Sequence, residues 1–231
     1  GVDALRAYEL RVTSQNGEDG VLAEILARVD VGSRFVVEFG AGDGSETTTG
    51  FLTDWCGWSA VLIEIDDFEA SRLARKHQHE PNVVTRHGQV TEDNLEPLLT
   101  DLGVPEEPDV LSIDIDSVDY WIWRSITAFH PRVVVIEYNA TLPAGRSITV
   151  PREQGSGINP ATDRYGASLD ALVGLGRAKG YTLAHTDLAG VNAFFVRDDL
   201  ADAVQAGTPR RAGPNHFLGS DGPLTTYDGG E

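Results

Sequence analysis

Five short, near-continuous apolar runs, interspersed with segments of helical period, constrain this chain more than any other feature. They are Arg34–Phe39, Ala60–Ile65, Asn82–Arg86, Asp109–Ile115 and Arg132–Glu137. A strand with one face in water alternates apolar and polar side chains, whereas a continuous run belongs to a strand covered on both faces. Covered strands separated by helices form a parallel sheet with helices on both sides. The intervening segments fit. Val21, Leu22, Ile25, Leu26 and Val29 share one face of a helix starting near Gly17, with Ser14 or Asn16 as its cap and Glu18 and Asp19 at its positive end. Phe68–His79, the stretch from Thr91 to about Leu102, and Val118–Phe129 read as further helices.

The rhythm breaks after the fifth run. Residues 140–166 carry three prolines (Pro143, Pro151, Pro160) and no clear period. Loops of that length are uncommon and usually functional. A helix over Ala167–Lys179 stops at Gly180. Tyr181–His185 and Asn192–Arg197 then read as two strands joined near Gly190, an antiparallel hairpin at the sheet edge. Residues 1–205 are expected to form one domain with a lid over 140–166. Residues 206–231, with six Gly and three Pro, are expected to be a loose tail.

Composition narrows the function classes. At 41% hydrophobic the chain can build a core, and it has no apolar run of about 18 residues to span a membrane. A net charge of −18 with scattered Lys and Arg repels phosphate backbones and argues against a nucleic-acid partner. Cys56, the single cysteine, makes no internal disulfide, which fits a reducing, cytoplasmic setting. Its plain reading is a small buried hydrophobe. A small-molecule substrate is therefore expected, and a homodimer is compatible with the sequence.

The first run closes on Glu38-Phe-Gly-Ala-Gly-Asp-Gly44, a sharp loop between strand and helix. Glycines let backbone approach a ligand closely. The spacing of Gly40, Gly42 and Gly44 is not the dinucleotide spacing, and Glu38 would repel a pyrophosphate. An acid there suits a cationic amino group, which favours S-adenosylmethionine over NAD. Glu64, ending the second run, lies where a carboxylate accepts both ribose hydroxyls, although Asp66 and Asp67 lie close by. Gln89, after the third run, is placed to accept from an adenine amino group or is an ordinary loop residue.

Several acids end the fourth and fifth runs: Asp114, Asp116 and Asp119, then Glu137, with Asn139 beyond. Carboxylates converging without Lys or Arg are costly unless a cation sits among them. Asp114, Glu137 and Asn139 form an all-oxygen set for Mg²⁺ or another divalent cation, with Asp116 as the alternative ligand. The other reading is that these acids meet a ligand ammonium and cap helices. His77 and His79 read as surface cations at a helix end. Trp121 and Trp123 read as core.

The ordered set Ser14-Gln-Asn-Gly-Glu-Asp-Gly20, Val37-Glu-Phe-Gly-Ala-Gly-Asp-Gly44, Leu62-Ile-Glu-Ile-Asp66, Ser112-Ile-Asp-Ile-Asp116, Val135-Ile-Glu-Tyr-Asn139, Tyr165-Gly-Ala-Ser168 and Gly190–Val196 resembles the class I S-adenosylmethionine-dependent methyltransferases, and within them the FkbM-like group, over about residues 14–200. The resemblance implies a Rossmann-like α/β fold with a seven-stranded, mostly parallel sheet of order 3-2-1-4-5-7-6, and cofactor contacts at Glu38, Gly40, Gly42 and Glu64. The acids also resemble the Mg²⁺ ligands of catechol-type O-methyltransferases, from which Glu137 and Asn139 depart because Tyr138 separates them. In such a chain Gln15 and Asp114 contact cofactor or substrate, or Gln15 simply caps a helix. Gly44 belongs to the cofactor loop. Asp114 or Asp116 acts as base. Arg146, Arg164 and Tyr165 of the lid hold the substrate, or the arginines decorate a solvated loop. The expected activity is methyl transfer to a small molecule, as an O-methyltransferase of natural-product metabolism. The alternatives are non-methyl chemistry on the same cofactor, such as cyclisation, and binding without catalysis.

Overall fold

The computed structural model describes residues 4–154 and 165–204. Its strands are β1 (Phe35–Phe39), β2 (Ser59–Glu64), β3 (Val83–His87), β4 (Val110–Ile113), β5 (Val133–Glu137), β6 (Tyr181–Thr186) and β7 (Asn192–Arg197). Its α-helices are α1 (Glu18–Val29), α2 (Asp67–Lys76), α3 (Leu95–Asp101), α4 (Asp119–Ser125) and α5 (Leu169–Ala178). The strands form one sheet in the order β3-β2-β1-β4-β5-β7-β6. β1 to β5 run parallel. β7 lies antiparallel between β5 and β6. The expected edge hairpin is therefore present, with β7 on its inner side.

Strand pleating sorts the core into two layers. Val37, Phe39, Val61, Ile63, Leu111, Ile113, Val134 and Ile136 pack under α3, α4 and α5. The alternate residues Val36, Ala60, Leu62, Val110, Val133 and Val135 pack under α1 and α2. Burial on both sides is why the central strands read as continuous apolar runs. Trp121 and Trp123 lie in the first layer, as expected.

Local chemistry sets the helix ends. Asp66 caps α2 by accepting from the Glu69 amide at 2.9 Å, and Ser168 caps α5 through the Ala171 amide at 3.2 Å. Ahead of α1 the cap is reciprocal. The Ser14 hydroxyl accepts from the Asp19 amide, while the Asp19 carboxylate reaches back to the amides of Val12, Thr13 and Ser14. This hook turns the N-terminal segment across the carboxyl edge of the sheet. Glu9 pins the segment further back through His185 Nε2 at 2.9 Å, a wholly buried histidine on β6.

Several elements differ from the sequence reading. No α-helix follows the glycine loop directly; only a π-helical turn over Phe51–Trp55 intervenes before β2. The regular turns of α3 start only at Leu95, but Thr91 caps its leading turn as expected: the Thr91 hydroxyl accepts from the Asn94 amide at 3.3 Å, Asn94 Oδ1 accepts from the Thr91 amide at 2.8 Å, and the Leu95 amide donates to the Thr91 carbonyl at 3.1 Å. α4 ends at Ser125, where Ile126 turns extended. Cys56 is exposed, on the loop leaving the π-helical turn, rather than buried. His77 is buried rather than a surface cation: α2 stops before it, and its Nδ1 lies 2.9 Å from Glu80 Oε2. His79 is exposed. No described helix is long and apolar enough to cross a membrane. The expected tail over 206–231 lies outside the described residues.

Gly176 of α5 faces two aromatic rings. A Cβ there would lie 2.9 Å from Phe195 Cδ1 and 3.1 Å from Trp123 Cη2. Both rings are buried, and Trp123 also packs edge-on against Tyr181, so either must shift to admit the methyl group. Gly176→Ala is expected to cost about 1–3 kcal/mol by overpacking, read as a lower urea midpoint with an unchanged slope.

Candidate functional site

Strand order reverses direction between β1 and β4, and a crevice opens there at the carboxyl ends of the parallel strands. A cavity of about 690 Å³ fills it. Each strand end contributes to its lining: Gly40 and Gly42 after β1, Glu64 and Ile65 at β2, Gly88 and Gln89 after β3, Asp114 and Asp116 after β4, and Glu137 at β5. Gln15 and Asn16 of the N-terminal segment and Val191 of the β6–β7 turn complete it.

The loop is built for close approach. A Cβ on Gly40 would lie 1.7 Å from the Asp114 carbonyl oxygen, and its φ of +78° is one that side-chain-bearing residues avoid. Gly42 has open space where a Cβ would be, so its backbone is bare to the cavity. Glu64 braces the loop: Oε2 accepts from the Gly42 amide and Oε1 from the Asp66 amide, both at 2.8 Å. Each carboxylate oxygen keeps a lone pair for a further donor.

At the other end three acids converge. Carboxylate oxygens of Asp114, Asp116 and Glu137 lie within 4.8 Å of one another. Glu137 is 7% exposed, and its Oε2 has no hydrogen-bond partner. Burial, then the neighbouring Asp119 and Asp116, holds the Asp114 carboxyl well above the usual range. Burial, then Asp114, does the same to Glu137, and burial and Glu64 raise Asp116. No Lys or Arg lines the cavity among the described residues. Asp119, fully buried at the start of α4, accepts from the amides of Ile115 and Ser117 at 2.9 Å each. It is pushed up to about 6 by burial against those hydrogen bonds.

Thus Gln15, Gly40, Gly42, Glu64, Gln89, Asp114, Asp116 and Glu137 of the sequence reading share one cavity. Others do not. Glu38 is expected at a ligand ammonium but is 2% exposed, and its oxygens accept from the Thr48 and Thr49 amides and the Thr49 hydroxyl. It points to the α1 side of the sheet, in phase with Val36, and fastens the loop after β1. Gly44 turns away from the cavity toward α2, where a Cβ would lie 2.8 Å from Leu73 Cδ1. Asn139, the expected metal ligand, is fully buried and committed elsewhere: Nδ2 donates to the Tyr165 carbonyl at 3.1 Å and Oδ1 accepts from the Thr141 amide at 3.0 Å. The acid cluster has Asp116 in its place. Tyr165 is buried at 1% exposed rather than open to a substrate. Arg146 is exposed and outside the cavity lining. Arg164 lies outside the described residues. The described part of the 140–166 insertion packs on α4, where Trp121 Nε1 donates to the Val150 carbonyl at 3.0 Å. Glu69 carries no local sequence signal, and Asn16 and Val191 stand in the resemblance motifs without a site role of their own; the topology brings all three to the cavity.

No protein-family model matches this chain, and no curated protein matches its sequence. Solved structures do match. The N-terminal domain of EvdMO1 with SAH bound is 14% identical, with 80% of each chain covered and a TM-score of 0.51. The same domain in the presence of SAH and D-fucose is 14% identical, covering 80% of this chain and 83% of the other, at a TM-score of 0.50. The magnesium protoporphyrin IX methyltransferase ChlM from Synechocystis PCC 6803, with bound SAM, is 12% identical, covering 78% and 77%, at a TM-score of 0.46. At these identities the likeness is one of fold. The chain has the Rossmann-like methyltransferase fold with the sheet order 3-2-1-4-5-7-6.

The turn that carries Val191 into the cavity is held by Asp187, which accepts from the amides of Gly190, Val191 and Asn192. Burial outweighs those bonds and pushes Asp187 up from 3.8 to about 7. The folded state therefore favours its protonated form. Its contribution to stability is full below the unfolded value and is lost as pH rises toward 7. The melting-temperature difference between wild type and Asp187→Asn is expected to shift against the wild type from about pH 4 to about pH 7, then level off.

Proposed function

We propose that this chain is an S-adenosylmethionine-dependent methyltransferase acting on a small hydroxylated molecule, assisted by a divalent cation. The observation that carries the reading is the single cavity joining the bare Gly40–Gly42 backbone and Glu64 to the Asp114–Asp116–Glu137 cluster. The SAH-bound neighbour of the same fold supports the cofactor. The FkbM-like grouping and the natural-product setting rest on the motif resemblance.

The residues present fit that cofactor. Gly40 and Gly42 admit its body without a side chain in the way, Glu64 has lone pairs left for two hydroxyls, and Gln89 lies at the β3 end to meet an adenine amino group. Gln15 rims the mouth, and Asp114 faces the cationic end. When bound, S-adenosylmethionine supplies an electrophilic methyl group on a sulfonium. The protein contributes position and charge: an acceptor held within about 3–3.5 Å of the reacting carbon needs little further reorganisation.

The acid cluster fits a hard divalent cation. Its donors are carboxylate oxygens, and Glu137, a member of the cluster, keeps a buried oxygen, Oε2, without a hydrogen-bond partner. Asp114, Asp116 and Glu137 would hold the ion, which supplies Lewis-acid polarisation of the acceptor. Asp116 is the exposed member, so a proton passed to its carboxylate has a way out to solvent; Asp114 is the alternative proton acceptor. A lining of five acids, Glu64, Glu69, Asp114, Asp116 and Glu137, with no described cation, disfavours a carboxylate- or phosphate-bearing acceptor. Such a lining favours a neutral acceptor, and Arg146, outside it, fits the reading of a solvated loop residue.

Calorimetry with S-adenosylhomocysteine tests the cofactor. Binding is expected, and Glu64→Ala should weaken it about tenfold or more, equivalent to ~1.4 kcal/mol. The absence of heat and of any thermal shift at millimolar ligand would remove the reading. Mn²⁺ binding, followed by electron paramagnetic resonance, should be lost in Glu137→Gln while S-adenosylhomocysteine still binds. Methylthioadenosine rather than S-adenosylhomocysteine as product would signal non-methyl chemistry.

A further inference from the structure

Two consecutive non-glycine residues beside the acid cluster hold backbone angles that side chains rarely adopt. Asp116 has φ +57° and Ser117 has φ +142°. Such angles persist only where surrounding contacts enforce them, and they gather at functional sites. Here the enforcing contact is visible. Asp119 has no exposed surface, and its two oxygens accept from the amides on either side of Asp116, those of Ile115 and Ser117, at 2.9 Å each.

A second observation gives this strain a purpose. Asp116 lies with Asp114 and Glu137, all acids, in a cavity with no Lys or Arg in its described lining. No side-chain attraction draws Asp116 inward, and mutual repulsion drives it out. Its position must come from the backbone. Released from Asp119, residues 116 and 117 would relax to negative φ and carry the Asp116 carboxylate away from its neighbours. The same turn meets the 140–166 insertion, since Gln154 Nε2 donates to the Ser117 hydroxyl at 3.1 Å.

We infer that Asp119 is a positioning residue: by clamping the Ile115–Ser117 turn in a strained conformation, it aims Asp116 into the Asp114–Glu137 cluster and completes the cation-binding end of the site. The inference rests on the proposed role of that cluster. Asp119 itself touches neither acceptor nor cofactor.

Asp119→Asn keeps the shape of the side chain and replaces one accepting oxygen by an amide group that meets an N–H. Hydrogen exchange followed by NMR on the ligand-free protein should show the Ile115 and Ser117 amides exchanging about tenfold faster or more, with the β-strand amides unchanged. The Mn²⁺ dissociation constant should rise about tenfold or more, while that for S-adenosylhomocysteine stays within about twofold. Adding Ser117→Gly, which accepts φ near +142° without strain, should recover most of the Mn²⁺ affinity. A merely structural role would lower both affinities together with the melting temperature and would show no glycine rescue; that result overturns the inference. So does a Mn²⁺ affinity equal in wild type and Asp119→Asn. Should the wild type bind no Mn²⁺, the cation reading of the cluster has failed, and the exchange rates at Ile115 and Ser117 alone decide whether the clamp exists.

Discussion

The close passage of two chain ends, β1 leaving the sheet at Gly40 and β4 leaving it at Asp114, governs the rest of this molecule. With only 1.7 Å between a would-be Cβ and the Asp114 carbonyl, these segments touch backbone to backbone. The glycine loop and the acid turn are therefore one rigid corner. Everything proposed for the site, from the bare amides at one end to the clustered carboxylates at the other, inherits its spacing from that contact. The sheet supplies the precision: β1 is hydrogen-bonded to both β2 and β4, so Glu64 and Asp114 are placed relative to Gly40 by neighbouring ladders.

The electrostatics of this corner run against ordinary folding preferences. Like charges are brought together in partly dry surroundings, and the usual remedy, a nearby Arg or Lys, is missing from the described lining. Basic groups nearby are occupied elsewhere. Lys76 bonds the Gly44 carbonyl and Asp54, Arg72 pairs with Asp43, and Arg152 pairs with Glu92. These pairs steady the outer side of the loop and the insertion while leaving the inner side acidic. Proteins keep such arrangements where a ligand settles the charge.

Much of this was legible in the sequence, and the failures have physical causes. Continuous apolar runs marked β1, β2, β4 and β5 because burial on two faces leaves no polar alternation, whereas β3, at the sheet edge, is buried only at Val83 and more weakly patterned. Gly40, Gly42, Glu64 and Gln89 were placed in the site because strand ends in a parallel sheet open on one side. Glu38 misled because an acid near a strand end reads the same whether it faces a ligand or a loop; the pleat put it in phase with Val36, beneath α1. Asn139 misled because β5 stops at Glu137. Beyond that point two-residue periodicity no longer keeps side chains on one face, and Asn139 turns inward to Tyr165 and Thr141. Val191 and Asn16 lie in motifs the sequence offered, but nothing local says that either faces the cavity; the topology decides that. His77 and Cys56 exchanged their expected environments because burial at a helix end depends on where the helix stops, and that boundary is weakly written in any sequence.

The pin between Glu9 and His185 has a consequence for how the molecule is made. These partners lie 176 residues apart, the widest separation among the side-chain bonds described here. A chain emerging from the ribosome presents Glu9 first, long before β6 exists to receive it. The local Asp19 hook around Gln15 and Asn16 needs only its neighbours, but the pin behind it can close only once β6 has been made. The outer fastening of the N-terminal segment is then a late event, so in a nascent chain the cavity mouth is bordered by the local hook alone until β6 and β7 are in place.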